Sequence, residues 1–410
     1  MKIHFIGIGG IGVSALAQYY LEKGWQMSGS DLAASEITEF FLKKGVKVFI
    51  GQKSENISAG IDLVIHSPAV KPENPEYAAA KKMGIKTQSY PEALGELTLQ
   101  YKTIAISGSH GKSTTTAMTA LVLIKAGIDP TVIVGTKLAE FGNTNFRMGK
   151  SEWLVIEACE YDGSFLNYQP QIAVITNVDK EHLDYFKTFA NVKKAFRDFV
   201  KKLPKDGHLI ESKNYSVNGA DGKKLKKLLK VPGAHNVSNA LSALAVARIL
   251  GVKDVVSFKA LAEFKGTWRR FETKQSNGIT VISDYGHHPT EVMATLKAAR
   301  EKFGRQKIWC IFQPHQHQRT YYLFKDFVKL FKTVKIDQII ITDIYDVAGR
   351  ETKTINQKVD SQLLVKKVTK KNVQYMPMDK AEKFVKENIK SGEVLIIMGA
   401  GDVYKLFDKF

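Results

Sequence analysis

The sequence predicts an α/β protein of three domains, each built on parallel strands with covering helices. Three observations predict it. Apolar, β-prone runs alternate with helical patterns along the chain, which is how parallel sheets are written. At 410 residues the chain is too long for one ordinary core. Two glycine-rich turns, at Gly7–Gly12 and Gly108–Gly111, each stand between such a run and a helix. The domains are placed at 1–98, 99–271 and 272–410.

The first block opens with a strand over Lys2–Ile6 and the turn Gly7-Ile8-Gly9-Gly10-Ile11-Gly12. Gly7, Gly9 and Gly12 fit G-x-G-x-x-G, and Asp31 follows 19 residues after Gly12, near the end of a second strand-like run. That context suits a Rossmann fingerprint, in which the acid meets a ribose hydroxyl. Three readings stay open: an NAD-type site, another nucleotide diphosphate on the same scaffold, or a tight turn for helix–sheet packing. Strands at Val46–Ile50 and Asp62–His66 follow, the latter leading into Ser67-Pro68-Ala69-Val70. Ser89-Tyr90-Pro91-Glu92-Ala93 and its helix close the block.

The second block carries the most informative stretch, Ile104-Ala105-Ile106-Ser107-Gly108-Ser109-His110-Gly111-Lys112-Ser113-Thr114-Thr115. An apolar strand ends in a glycine turn, and Lys-Ser-Thr opens a helix. This is a phosphate cradle. Glycines let backbone amides approach phosphate oxygens, the helix N-terminus favours anions, Lys112 supplies a point charge and Ser113 offers a hydroxyl to Mg²⁺. Only two residues separate Gly108 from Gly111, fewer than in the common P-loop. The next strand, Trp153–Cys159, carries Glu157 near its tail, where carboxylates face the ligand crevice. Ile172–Thr176 follows, leading to His182. Adjacent strands would thus bring Lys112, Ser113, Glu157 and His182 to one edge.

The third block has strands at Ile279–Asp284, Lys307–Gln313, Gln338–Asp343 and Glu393–Met398. At their ends lie Asp284–Glu291, Gln313–Thr320, Asp346–Glu351 and Gly399–Asp402. Four of the ten histidines fall in the first two clusters. They are spread over two loops without cysteine or helical ligand spacing, so polar substrate contacts are a better reading than zinc.

Composition narrows the classes. The chain is 44% hydrophobic and 25% charged, ordinary for a soluble globular protein, and has no apolar run long enough to span a bilayer. The N-terminus goes straight into a strand and does not read as a signal peptide. Cys159 and Cys310 sit in apolar strand-like runs without ligand spacing, as buried reduced thiols of a cytoplasmic protein do. Net charge is +19, from 60 Lys and Arg against 41 Asp and Glu. The basic residues are scattered on helices with no aromatic stacking platform, which argues against nucleic acid.

On these motifs the chain resembles the Mur ligases. The likeness runs through Gly7–Gly12, Gly108–Thr115, Glu157-Ala158-Cys159-Glu160-Tyr161-Asp162 and Thr176-Asn177 to His182-Leu183-Asp184. It continues through His235-Asn236, Asn239-Ala240, Arg269-Arg270-Phe271, Asp284–Glu291, Gln313–Thr320 and Gly399–Asp402. Asp-Tyr-Gly-His-His-Pro-Thr-Glu with Gln-Pro-His points to the alanine-adding branch.

The resemblance implies a Rossmann-like UDP-sugar domain, a P-loop-like central ATPase domain and a Rossmann-like C-terminal domain that closes over ATP. It implies ATP-dependent ligation of L-alanine to the carboxylate of UDP-N-acetylmuramate, through an acyl phosphate, with ATP and Mg²⁺. Lys112, His288 and Arg319 would be catalytic. Gly108, Gly111, Lys112, Ser113, Thr114, His235, Asn236, Asn239, Arg270 and Asp284 would bind nucleotide. Gly9, Gly10, Gly12, Asp31, Ser67, His110, His315 and Arg319 would bind substrate, and Ser113, Glu157 and His182 the metal. The expected protein is a cytoplasmic monomer or weak homodimer, with neither nucleic acid nor membrane insertion. The alternatives are a murein-peptide recycling ligase that takes a preformed peptide, an NAD(P)-dependent oxidoreductase, and a non-catalytic nucleotide-binding regulator. The oxidoreductase leaves Lys112, Glu157 and His182 unexplained.

Two departures from the family stand out. The stretch Gly207–Gly233 is short and lysine-rich where relatives carry an accessory sheet. Gln316-His317-Gln318 stands where relatives have arginine and an aromatic residue. A carbamylated lysine near Phe196 has no secure equivalent, although Lys193 and Lys194 are close. The unliganded chain is expected to be open, with a hinge near 268–274.

Overall fold

The structure is a computed structural model and describes residues 1–346 and 358–410. Within the predicted turn Asp346–Glu351, residues 347–351 lie outside the described residues.

Three sheets organise the α/β fold. The first holds β1 (Lys2–Ile6), β2 (Gln26–Asp31), β3 (Lys47–Ile50), β4 (Leu63–His66) and β5 (Lys86–Ser89), in the order β3-β2-β1-β4-β5, all parallel. The second holds β6 (Lys102–Ser107), β7 (Thr131–Leu138), β8 (Thr144–Arg147), β9 (Trp153–Glu157), β10 (Ile172–Ile175) and β11 (His208–Glu211). Its order is β11-β10-β6-β9-β7-β8, and only β8 runs antiparallel. The third holds β12 (Glu272–Ser276), β13 (Ile279–Asp284), β14 (Ile308–Phe312), β15 (Gln338–Ile341), β16 (Val373–Tyr375) and β17 (Val394–Met398). Its order is β12-β13-β17-β14-β15-β16, with only the edge strand β12 antiparallel.

Two compact units carry these sheets. One comprises residues 1–178, 193–215 and 242–261 and holds the first two sheets; the other comprises 179–192, 216–241 and 262–410 and holds the third.

The strands form because they are buried on both faces. In β14, Ile308, Cys310 and Phe312 pack with Ile282, Ile396 and Met398, while Trp309 and Ile311 pack on the other side with Val281, Leu395 and Ile397. A period of two sends neighbouring side chains to opposite faces, so a central parallel strand must be apolar throughout. In the second sheet, Ile104, Ile106, Val155, Ile172 and Val174 share one core.

Both glycine turns leave a central strand: β1 lies between β2 and β4, and β6 between β10 and β9. In the first sheet the strand order reverses at β1, which opens a crevice at the C-terminal edge. Within the first unit, helix Ile11–Glu22 packs on the β7–β8 hairpin. There Gln18 Nε2 donates to Asn145 Oδ1 at 2.8 Å, and Asn145 Nδ2 donates to Ser14 Oγ at 3.1 Å and to the Ile11 carbonyl. Tyr19 meets Phe146 edge-to-face at 6.3 Å.

One expectation needs correction. Cys310 is buried in β14, but Cys159 is only partly buried and lies beyond the end of β9. The strand stops at Glu157, and a turn with Asp162 at φ 55° and Gly163 at φ 66° follows. Both thiols are free. The short stretch 207–233 holds β11 and a helix over Ala220–Leu228. No helix among the described residues is long and apolar enough to cross a membrane.

Candidate active site

The turn after β1 is tight. Gly7 takes φ 85°, a conformation that glycine adopts freely. The amides of Gly7 and Ile8 donate to the Ser30 carbonyl at 2.8 and 3.0 Å. The Gly9 amide donates to Asp31 Oδ2 at 2.9 Å, and a Cβ on Gly9 would stand 2.8 Å from that oxygen. Gly10 lies 3.1 Å from the Gly7 carbonyl and caps helix Ile11–Glu22. Ser67 packs against Gly7, and the Tyr90 ring against Gly12. Thus Gly9, Gly10, Gly12, Asp31 and Ser67 gather round one helix N-terminus, where anions are favoured.

The turn after β6 has the same plan. Gly108 takes φ 136°, and a Cβ there would lie 1.9 Å from Thr176 Oγ1. Gly111, at φ 82°, caps helix Lys112–Lys125. The first amides of such a helix have no intrahelical partner and suit an anion. Asn177, just past β10, pins the turn. Its carbonyl accepts from the Ser109 amide at 3.0 Å, its Oδ1 accepts from the His110 amide at 3.0 Å, and its Nδ2 donates to the His110 carbonyl at 2.9 Å. Thr176 Oγ1 donates to that carbonyl at 2.6 Å.

Lys112 turns back into this loop. Its Nζ donates to the carbonyls of Gly108 at 2.6 Å and Ser109 at 3.2 Å, and to Glu160 Oε2 at 2.9 Å. Burial alone would lower its pKa, but the charges of Glu160 and Glu157 hold the ammonium above its ordinary value. Glu157 closes β9, and its Oε2 accepts from the Gly135 amide at 2.8 Å. Because β6 and β9 are neighbours, Lys112, Ser113, Thr114 and Glu157 share one sheet edge.

The remaining predicted residues belong to the second unit. His182, at φ 54°, precedes a short helix over Leu183–Phe186. Glu181 beside it is buried and lies 3.7 Å from Arg319 Nη2. Burial opposes ionisation of Glu181, yet Arg319 and the nearby His182, His288 and His287 hold its carboxyl well below the usual range. Arg319 Nη1 is 3.1 Å from His315 Nδ1, and the His315 ring stacks on Tyr345 at 5.6 Å. His288 is buried, lies 3.9 Å from Asp179 Oδ2 and caps helix Pro289–Phe303. His287 lies 5.7 Å from His315, so the loops after β13 and β14 meet. Burial first, then the Arg319 charge, lower the His287 pKa to about 4. Glu181, His182, Gln316, Gln318, Arg319 and Tyr322 line a small open cleft. The glutamine at 316 is therefore uncharged on that wall.

A second cluster in this unit surrounds Asp284. Its Oδ2 accepts from the Phe271 amide at 2.9 Å and its Oδ1 from the Gly286 amide at 2.8 Å; burial raises its pKa. Arg270 Nη1 lies 3.6 Å from Glu291 Oε1. Burial, with the Arg270 charge, lowers His235 to about 4. Asn236 and Asn239 are buried on the helix that His235 begins to turn. In the expected hinge, Arg269 and Phe271 take φ 55° and 54°, the left-handed region that non-glycine residues rarely enter. Arg269 donates to the carbonyls of Gly399 and Gly401, and its guanidinium sits among Trp268, Tyr285 and Tyr404.

Sequence reasoning gave no role to Asn177, Glu160, Glu181 or Arg269. All four lie in quoted motifs or directly beside quoted residues, but their work is to hold other groups, and spacing does not show that.

Residues 2–102 match the Mur ligase family, catalytic domain; 106–215 the Mur ligase middle domain; and 269–401 the Mur ligase, glutamate ligase domain. The UDP-N-acetylmuramate–L-alanine ligase of Clostridium botulinum is 40% identical over 452 aligned positions, covering 100% of this chain and 97% of the relative. That of Acetivibrio thermocellus is 39% identical, covering 100% and 95%. The alignments are longer than the chain, so the relatives carry stretches that it lacks. Among solved structures, the UDP-N-acetylmuramate-alanine ligase of Thermotoga maritima matches with a TM-score of 0.81 at 28% identity, covering 100% and 98%. A murein peptide ligase from Psychrobacter arcticus matches at 0.74 and 24% identity, covering 100% and 98%, a likeness of fold.

Proposed function

This chain belongs to the Mur ligase family, and from that premise we propose that it joins L-alanine to the carboxylate of UDP-N-acetylmuramate with hydrolysis of ATP to ADP and phosphate. The observation that carries the proposal is the full-length likeness to ligases of that name, at 40% identity.

The chemistry follows from charge. The muramyl carboxylate attacks the γ-phosphorus of ATP, ADP leaves, and an acyl phosphate forms. The alanine amine attacks the acyl carbon, phosphate leaves and the amine loses a proton. Bringing a carboxylate against a triphosphate requires cations and oriented amides. The turn after β6 supplies amides at a helix N-terminus and Lys112 supplies a charge. Gly9, Gly10 and Gly12, with Asp31 and Ser67, seat the UDP-sugar; His110 and His315 add substrate contacts, and His288 and Arg319 serve the reacting carboxylate. His235, Asn236, Asn239, Arg270 and Asp284 hold the nucleotide.

Mg²⁺ fits part of the donor set. Ser113 and Glu157 offer a hydroxyl and a carboxylate, the oxygen donors this hard ion takes; His182 offers nitrogen and would act through a water. When bound, the ion offsets phosphate charge. We place the enzyme in the cytoplasm as a monomer or weak homodimer, with domains at 1–98, 99–271 and 272–410.

Phosphate release from ATP tests the reaction. Release should require both UDP-N-acetylmuramate and L-alanine; release that ignores both defeats the proposal. Free tripeptide that replaces alanine more effectively would instead make the chain a recycling ligase.

A further inference from the structure

Lys112 has three acceptors in the structure: the Gly108 carbonyl, the Ser109 carbonyl and Glu160 Oε2. An ammonium has three N–H donors, so a phosphate oxygen enters only by displacing one of these partners. The three are not equivalent. The two carbonyls are neutral and belong to the loop that would wrap the phosphate. Glu160 is a carboxylate whose side chain is 0% exposed. Stripping a buried carboxylate of its cation costs far more than freeing a neutral carbonyl. The backbone that carries the carboxylate is also held in place. It lies just past β9 in a turn closed by the Gly163 amide on the Glu160 carbonyl at 3.1 Å and the Phe165 amide on the Cys159 carbonyl at 3.0 Å.

We propose that Glu160 is a positioning residue that keeps one Lys112 proton throughout turnover, so that a nucleoside triphosphate displaces only the Gly108 and Ser109 carbonyls. Glu160 is then a pivot, and the two released protons swing to phosphate oxygens. This rests on the reading of the site as an ATP-dependent ligase. The opposite arrangement, in which Glu160 competes with ATP for the lysine, would separate a buried carboxylate from its cation.

The test uses the full chain, with phosphate release under saturating substrates and equilibrium binding of a non-hydrolysable ATP analogue. Misplacing a catalytic cation costs rate before affinity, so Glu160→Gln should lower kcat about tenfold or more while analogue affinity stays within about threefold. Glu160→Asp should recover part of that loss. Lys112→Ala with Glu160→Gln should be no slower than Lys112→Ala alone. An unchanged kcat, additive losses in the double variant, or tighter analogue binding with idle ATP hydrolysis would each overturn the proposal. If Glu160→Gln does not fold, the aspartate and the double variant, which leaves neither buried charge, decide. Wild-type turnover in the same assay reports separately on the reaction.

Discussion

At the turn after β1 the Gly9 amide is closed by a carboxylate, Asp31, at the end of the neighbouring strand β2. At the turn after β6 the amides of Ser109 and His110 are closed by the carbonyl and side chain of Asn177, just past the neighbouring strand β10. The first turn has no lysine at the start of its helix; the second has Lys112, with Glu160 on the ammonium rather than on the amides. A carboxylate on the backbone weakens a helix N-terminus as an anion site, because its charge opposes the incoming one. A carboxamide holds the same backbone without that opposition. The turn after β6 thus keeps its negative charge on the lysine's side of the loop and its amides unopposed, which suits the triphosphate proposed for it.

The largest break in this comparison is Lys112→Ala. It should lower turnover by about a hundredfold or more, as loss of a transition-state cation does, while UDP-sugar binding measured by calorimetry stays near wild type. Near-normal turnover would mean that the cradle is misassigned. Stability separates the turns next. Gly108→Ala places a Cβ 1.9 Å from Thr176 Oγ1 at φ 136°, and should cost about 2–4 kcal/mol. Gly9→Ala meets side-chain atoms only, the Asp31 carboxylate at 2.8 Å and Ser35 Oγ at 3.4 Å, and should cost about 1 kcal/mol. Equal denaturant midpoints for the two variants would refute the difference in strain.

Exchanging the closing groups sharpens the comparison further. Asn177→Asp should raise the KM for ATP about tenfold, since like charge then faces the phosphates. Asp31→Asn keeps the acceptor and should change the KM for the UDP-sugar by about threefold or less. A large effect at Asp31 would show that its charge meets the ligand directly. The smallest effect concerns pH. His287 and His235 have pKa values near 4 in the fold, against an ordinary 6.5. Between those values the unfolded chain takes up protons that the folded chain refuses, so stability falls as pH drops from 6.5 toward 4 and levels off above 6.5. The thermal midpoint should be lower at pH 5 than at pH 7.5, and His287→Gln should flatten part of that slope.

The sequence made the two turns legible because glycine spacing and flanking apolar runs report backbone geometry directly. Asp31 closes β2 as read, and Glu157 closes β9. The strands β5, β7, β8, β11, β12 and β16 were not legible. Five of them are edge-side, short or polar, as in Glu272-Thr273-Lys274-Gln275-Ser276; β7 was passed over although it carries the apolar run Val132-Ile133-Val134. The strand drawn through Cys159 overshot because Ala158 and Cys159 look apolar, while the backbone has already turned toward Asp162. Glu160 and Asn177 stood inside recognised motifs, yet their partners are 48 and 67 residues away, and only the fold brings such pairs together.

The unit that holds both glycine turns is drawn from residues 1–178, 193–215 and 242–261, and the second unit begins at 179–192. A ribosome delivers these pieces in order. Until β11 at His208–Glu211 emerges, β10 has an open edge beside β6, and until residues 242–261 emerge the unit lacks its last segment. At ~5–20 residues per second, the interval from residue 178 to 261 lasts roughly 4–17 s. For the first roughly 2–7 s of it, from residue 178 to the end of β11 at 211, the nascent chain exposes the parallel edge of β10, a template for mispairing that a nascent-chain chaperone would cover. The compact stretch between Gly207 and Gly233 shortens the wait for the last segment, 242–261, so the unit of this chain should complete during translation sooner than that of a version lengthened there.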